Sequence, residues 1–145
     1  SAISPVWKEN EVSKKRVLCF DDDEDLLQVL ATVLSQNDME VELQDKAQNY
    51  LQKIETFGPD AVILDVMFAK EKTDGFEICR NIRKDQRYEK LPIVMLTAIN
   101  QFYPCDFEPH PEYLPCNYFL EKPIDPDKLV AVLQRAFTEN PMAND

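Results

Sequence analysis

The chain has 145 residues, with 16 Lys and Arg against 27 Asp and Glu, a formal net charge of −11 and 44% apolar residues. At this length one domain hides roughly 70% of the surface its unfolded form exposes, which makes disulfide staples unnecessary and leaves no room for a second domain. The acidic balance argues against a protein that grips phosphate backbones through clustered Lys and Arg, and so against direct nucleic-acid binding.

Residues 1–13 mix Pro, Ser and charges without periodicity and read as a tail, as do residues 140–145. The tail has no basic-then-apolar layout, and apolar runs are as short as Ala61–Leu64, so neither a signal peptide nor membrane insertion is expected and the expected location is cytoplasmic. Cys19, Cys79, Cys105 and Cys116 form no CxxC pair, and His110 sits between two prolines, which makes a zinc site a poor reading.

From Arg16 the pattern becomes regular. Val17–Phe20 is an apolar run, and Leu26, Leu27, Leu30, Val33 and Leu34 then recur at helical spacing over Glu24–Gln36. Val41 and Leu43 alternate as a strand, and Ala47, Tyr50, Leu51 and Ile54 mark a helix that Gly58-Pro59 closes. Ala61–Leu64 has the character of a central strand covered on both faces, and Phe76, Cys79, Ile82 and Arg83 continue as a helix opening just after Gly75. Ile93–Leu96 and Tyr118–Leu120 are two more strands. The last helix has Asp125 as N-cap, Pro126 at its first position and an inner stripe of Leu129, Val130, Leu133, Ala136 and Phe137. Alternating strands and helices predict an α/β fold, a parallel sheet wrapped on both sides by helices through right-handed crossovers. Between Ala98 and Cys116, Pro104, Pro109, Pro111 and Pro115 lie too close together for a helix. An ordered aromatic loop is expected there instead.

In such sheets ligands collect beyond the carboxyl ends of the strands. The polar residues in those places are Asp21–Asp25 after the first strand, Asp65 after the third, Thr97 after the fourth and Glu121-Lys122-Pro123 after the fifth. Asp23, Glu24 and Asp25 are explained by a helix start, where the dipole favours carboxylates. Asp21 and Asp22 abut the strand end near the expected place of Asp65, and clustered carboxylates repel unless protonated or met by a cation. Oxygen-only ligands suit Mg²⁺ or Mn²⁺.

Four segments in this order resemble the receiver domain of two-component response regulators over residues 14–139. They are Arg16–Asp23 with its acidic pair, Ala61–Met67 around the phosphoacceptor position, Ile93–Ala98 ending in a hydroxyl residue, and Phe119–Pro123 around the lysine, whose Lys-Pro bond is commonly cis in that family. The resemblance implies a doubly wound, flavodoxin-like sheet of five parallel strands in the order 2-1-3-4-5, with the fourth helix replaced by the Pro-rich loop. It implies that Asp65 accepts a phosphoryl group from a sensor histidine kinase or phosphotransfer protein. Asp22, Asp65 and the Met67 backbone carbonyl would hold Mg²⁺, Asp21 would assist, and Lys122 would balance the charge of the phosphoryl oxygens. The Thr97 hydroxyl would donate to the new phosphoryl group alongside Lys122, and Thr97 and Phe119 would form the switch that signals to a downstream protein, although most family members carry Tyr where Phe119 stands. The protein would then be no enzyme beyond catalysing its own phosphorylation and dephosphorylation. As nothing resembling an output module follows residue 139, the resemblance is to a stand-alone receiver.

Two departures qualify the match. The loop from Val66 to Gly75 is two residues longer than usual and lacks its proline. Its charged tip reads as a solvated turn, with Lys70 or Lys72 near enough to approach a phosphoryl group or a partner. The Pro-rich segment alters the usual docking face. Met67 and Ile99, each two residues past a site position, are apolar where the family tunes access of water, which predicts slow self-dephosphorylation. Two other readings remain open at this point. One is a haloacid-dehalogenase-like phosphatase using the Asp-x-Asp in Asp21-Asp22-Asp23. The other is a receiver-like scaffold that is never phosphorylated.

Overall fold

The computed structural model describes residues 13–98 and 115–139. The expected tails, Ser13 apart, lie outside the described residues, and so does the Pro-rich loop apart from its ends. Cys105, His110 and Ile99 belong to this group.

Each apolar run becomes a strand. β1 (Lys15–Phe20), β2 (Met39–Gln44), β3 (Ala61–Asp65), β6 (Ile93–Ala98) and β7 (Tyr118–Lys122) form one parallel sheet in the order β2-β1-β3-β6-β7. Numbered among themselves, the five strands have the expected order 2-1-3-4-5. A short antiparallel hairpin, β4 (Met67–Phe68) with β5 (Thr73–Asp74), lies between β3 and the helix that follows it. The helices are α1 (Glu24–Gln36), α2 (Tyr50–Phe57), α3 (Gly75–Lys84) and α4 (Pro126–Glu139).

Strand side chains alternate between faces, and the core divides accordingly. Val17, Cys19, Ala61, Ile63, Val94 and Leu96 pack under α1 and α4, while Leu18, Phe20, Val62, Leu64, Ile93 and Met95 pack under α2 and α3. All five residues of β3 are buried, as the Ala61–Leu64 run predicts for the middle strand. The buried stripe of α1 is Leu27, Leu30 and Leu34, each contributing about 1.5–3 kcal/mol of burial.

Local chemistry fixes the helix ends. The Asp23 carboxylate accepts the Leu26 N–H at 3.1 Å and caps α1. Asp74 caps α3 by accepting the Phe76 N–H at 2.8 Å, and Asp125 Oδ1 accepts the Asp127 N–H at 3.0 Å ahead of α4. Gly58 ends α2 at φ +66, a left-handed conformation that strains residues with a Cβ.

The structure departs from the sequence reading in several places, and Ala47, expected to mark a helix, lies ahead of α2. β1 begins two residues earlier, and the Val66–Gly75 segment is not a free turn but the β4–β5 hairpin, with Phe68 fully buried. A short 3-10 turn, Gln86–Tyr88, also follows α3.

Candidate functional site

β1 and β3 are neighbours in register, Phe20 beside Leu64, so the residues just beyond them, Asp21 and Asp65, emerge side by side at the carboxyl end of the sheet. Both continue the parity of Cys19 and Ile63, as Lys122 continues that of Leu120, which brings all three to the α1/α4 side. Lys122 reaches across from the sheet edge. Its Nζ donates to Asp65 Oδ1 at 3.1 Å and lies 2.9 Å from Asp21 Oδ2 in an ion pair. The Lys122–Pro123 bond is cis.

Asp21 is fully buried and Asp65 nearly so. Burial raises the Asp21 pKa, against the pull of the Asp23 N–H and Lys122. Burial and the adjacent Asp21 charge push Asp65 up to about 6, with Lys122 and the Met67 N–H acting in the opposite direction. Burial lowers the Lys122 pKa, but the two carboxylates outweigh it and the net shift is upward. The two carboxylates therefore stabilise the Lys122 charge, while burial, and at Asp65 the Asp21 charge, disfavours their own ionised forms.

Asp22 completes the group. One oxygen from each of Asp21, Asp22 and Asp65 lies within 4.8 Å of the others. The donor set fits a hard divalent cation on three counts: every donor is a carboxylate oxygen, the Lys122 ammonium meets only Asp21 and Asp65 of the three carboxylates, and the buried Asp21 Oδ2 accepts no hydrogen bond. Such a site calls for more positive charge than Lys122 supplies.

The remaining expected residues stand around this centre. The Met67 amide faces the Asp65 carboxylate, and the Met67 side chain is 46% exposed. Thr97 follows Leu96, the register partner of Asp65, and its hydroxyl donates to the Ala98 carbonyl over a long 3.4 Å. It is not joined to the carboxylate–lysine group. Phe119 pairs in register with Met95, on the same face as Thr97, and meets Phe76 of α3 edge to face at 6.4 Å. Asp23, the second acid of the Asp-x-Asp reading, is an exposed helix cap outside the carboxylate cluster.

Two features escaped the sequence reading. The hairpin tip is pinned rather than free: the Lys70 N–H donates to Asp22 Oδ2 at 3.1 Å, and both Glu71 carboxylate oxygens accept the Ala47 N–H at 3.1 Å. Arg83, which falls on the apolar stripe of α3, is a half-buried tie at the opposite end of the sheet. It donates to the carbonyls of Pro115, Tyr88 and Leu91 at 2.7, 2.9 and 2.6 Å and to Asn117 Oδ1 at 2.8 Å. A cation on an apolar stripe was the available signal. Cys19, Cys79 and Cys116 are buried and free. Burial raises their thiol pKa values, to about 11 for Cys79 and about 12 for Cys116, so these thiols stay protonated at neutral pH.

Among the described residues no helix is long and apolar enough to cross a membrane. The response regulator receiver domain family model matches residues 17–134. The chain is 32% identical over 133 residues to a "probable transcriptional regulator ycf27" of Cyanophora paradoxa, covering 90% of this chain and 52% of that protein. It is 37% identical over 84 residues to the alkaline phosphatase synthesis transcriptional regulatory protein PhoP of Bacillus subtilis, covering 58% of this chain and 33% of that one. The chain thus spans between a third and about half the length of these relatives. Among solved structures, it superimposes on the chemotaxis protein CheY4 of Vibrio cholerae with a TM-score of 0.69 at 27% identity, covering 85% of this chain and 98% of that one. The receiver domain of NtrX from Brucella abortus gives a TM-score of 0.70 at 25% identity, with coverage of 85% and 98%. The family match spans most of the chain and agrees with the sheet order and the acid–lysine centre; the chain belongs to the response regulator receiver domain family.

Proposed function

We propose that this chain is a phosphoacceptor of a two-component phosphorelay, in which Asp65 receives a phosphoryl group from a phosphohistidine on a sensor kinase or phosphotransfer protein. The observation that carries this reading is the Lys122 ammonium held between Asp65 and Asp21, 3.1 and 2.9 Å away, at the carboxyl end of the sheet. Phosphoryl transfer asks little of a protein beyond an in-line carboxylate and charge compensation for the equatorial oxygens. One Asp65 oxygen attacks phosphorus as the P–N bond of the phosphohistidine breaks, and the imidazole leaves with the bonding pair and takes up a proton. Lys122 stays beside the acceptor as a point charge, available to the developing phosphoryl oxygens. Asp21, Asp22, Asp65 and the Met67 carbonyl are the groups to hold Mg²⁺ or Mn²⁺, which when bound supplies further charge neutralisation to the phosphoryl group.

Release of the ion pair at Asp65 and the added phosphoryl charge then draw the Thr97 hydroxyl inward from its weak bond to Ala98. Phe119, on the same sheet face, follows it. A downstream protein reads the altered surface, and the sensor-kinase partnership places the reaction in the cytoplasm. The only catalysis in this account is the chain's own phosphorylation and dephosphorylation.

The test is incubation with acetyl phosphate or beryllofluoride, with and without Mg²⁺, followed by intact mass and fluorine NMR on wild type and Asp65→Asn. Modification that requires both the metal and Asp65 is the expected result. A folded protein that takes up neither reagent would instead favour the unphosphorylated scaffold.

A further inference from the structure

The β4–β5 hairpin delivers a cation to the acidic loop. Lys70 Nζ donates to the Asp22 backbone carbonyl at 3.2 Å, while the N–H of the same residue holds Asp22 Oδ2 at 3.1 Å. An exposed lysine usually wanders, but the backbone carrying this one is tied down. Phe68 is fully buried in the α2/α3 core, Glu71 grips the Ala47 amide, and the tip is closed by the Glu71 N–H to Phe68 carbonyl bond at 3.1 Å. The surface recess at this point is lined by Asp22, Asp23, Glu24, Asp25, Ala69 and Lys70, four acids with one ammonium among them.

We propose that Lys70 tunes the divalent-cation site, its ammonium acting as a built-in competitor that lowers the affinity of the Asp21, Asp22 and Asp65 cluster for Mg²⁺. This rests on the reading of that cluster as a metal site. The physical argument is direct. The ammonium bonds to the backbone of a residue whose carboxylate belongs to the cluster, so it adds positive charge beside the place an arriving ion would take. Two like charges at that range oppose each other even at the protein surface, and the opposition is doubled for a divalent ion. Because Lys70 is exposed, salt screens the effect. The Lys70 N–H does not depend on its side chain, so the hold on Asp22 survives substitution, and a side-chain variant isolates the charge.

Calorimetric titration of the unphosphorylated full chain with MgCl₂ at low ionic strength tests this, on wild type, Lys70→Met, Lys70→Arg and Asp22→Asn. Lys70→Met is expected to bind Mg²⁺ about threefold or more tightly than wild type, with the gap closing as KCl is added, while Lys70→Arg stays at the wild-type value. Equal or weaker binding by Lys70→Met, or a gain that ignores salt, overturns the proposal. Asp22→Asn separates the two levels of inference. If it binds Mg²⁺ as well as wild type, the metal-site reading itself has failed and the role of Lys70 falls with it. If only Lys70→Met behaves unexpectedly, the metal site stands and the competitor does not.

Discussion

Lys122 and Asp65 are 57 residues apart in the chain, yet the Lys122 ammonium donates to the Asp65 carboxylate at 3.1 Å and simultaneously pairs with the buried Asp21. The same ammonium therefore answers two carboxylates, and removing it leaves both without a counter-charge. Lys122→Met is expected to destabilise the protein by about 2–4 kcal/mol near neutral pH, because buried charges lose their partner. Urea unfolding at fixed ionic strength measures the loss. Millimolar Mg²⁺ should restore part of it by binding the native state alone, and no restoration would argue that the carboxylates do not bind the ion.

The raised pKa of Asp65 gives stability a defined pH dependence. Folding lifts this acid to about 6, through burial and the Asp21 charge, so the native state holds the proton more tightly than the unfolded chain. The ionised group then costs stability. That cost is absent below the ordinary carboxylate range, grows as pH rises from there through about 6, and is constant above. Without divalent ions, Asp65→Asn should exceed wild type by about 1–2 kcal/mol at neutral pH and approach it in acid. An advantage that did not change with pH would show that the buried charge is not its source.

Gly75 is required by close approach. A Cβ built there would lie 2.0 Å from the Asp65 carbonyl oxygen and 2.9 Å from that of Val66, and neither backbone atom can swing aside. Gly75→Ala is expected to cost more than about 3 kcal/mol and to displace Asp65, so any folded fraction should take up beryllofluoride poorly. Thermal melts with fluorine NMR check both effects.

Arg83 supplies the opposite control, far from the chemistry. Its guanidinium satisfies three carbonyls and Asn117 Oδ1, which in turn accepts the Ile93 N–H at 2.8 Å. Arg83→Met should cost about 2–4 kcal/mol through buried acceptors left without donors. In the folded fraction, phosphorylation of Asp65 should be unaffected, as measured by intact mass after acetyl phosphate treatment.

Met67 stands half exposed beside Asp65 and offers no group to orient water. The phosphorylated protein should persist for minutes or longer in Mg²⁺ buffer, and Met67→Glu should shorten that lifetime. Time-resolved intact mass would decide, and a wild-type half-life of seconds would refute the expectation.

The elements and the rim were legible in the chain. The unbroken apolar runs Val17–Phe20 and Ala61–Leu64 mark strands because two-sided burial leaves a local signal, and Asp23 and Asp125 announce helix starts because a cap bonds only to its own first turn. Since the strands run parallel, the residues after them had to share one edge, and the motif order sufficed to nominate Asp21, Asp22, Asp65 and Lys122. Tertiary structure alone decided how the charges are divided. It assigned Lys122 to both Asp21 and Asp65, left the Thr97 hydroxyl on Ala98, folded the Lys70–Glu71 tip back onto Asp22 and Ala47, and tied Arg83 to carbonyls from two separate segments. Apart from the local Thr97 and Arg83–Leu91 bonds, these join groups tens of residues apart, where periodicity and spacing carry no signal, and each depends on a distance that exists only once the sheet has closed.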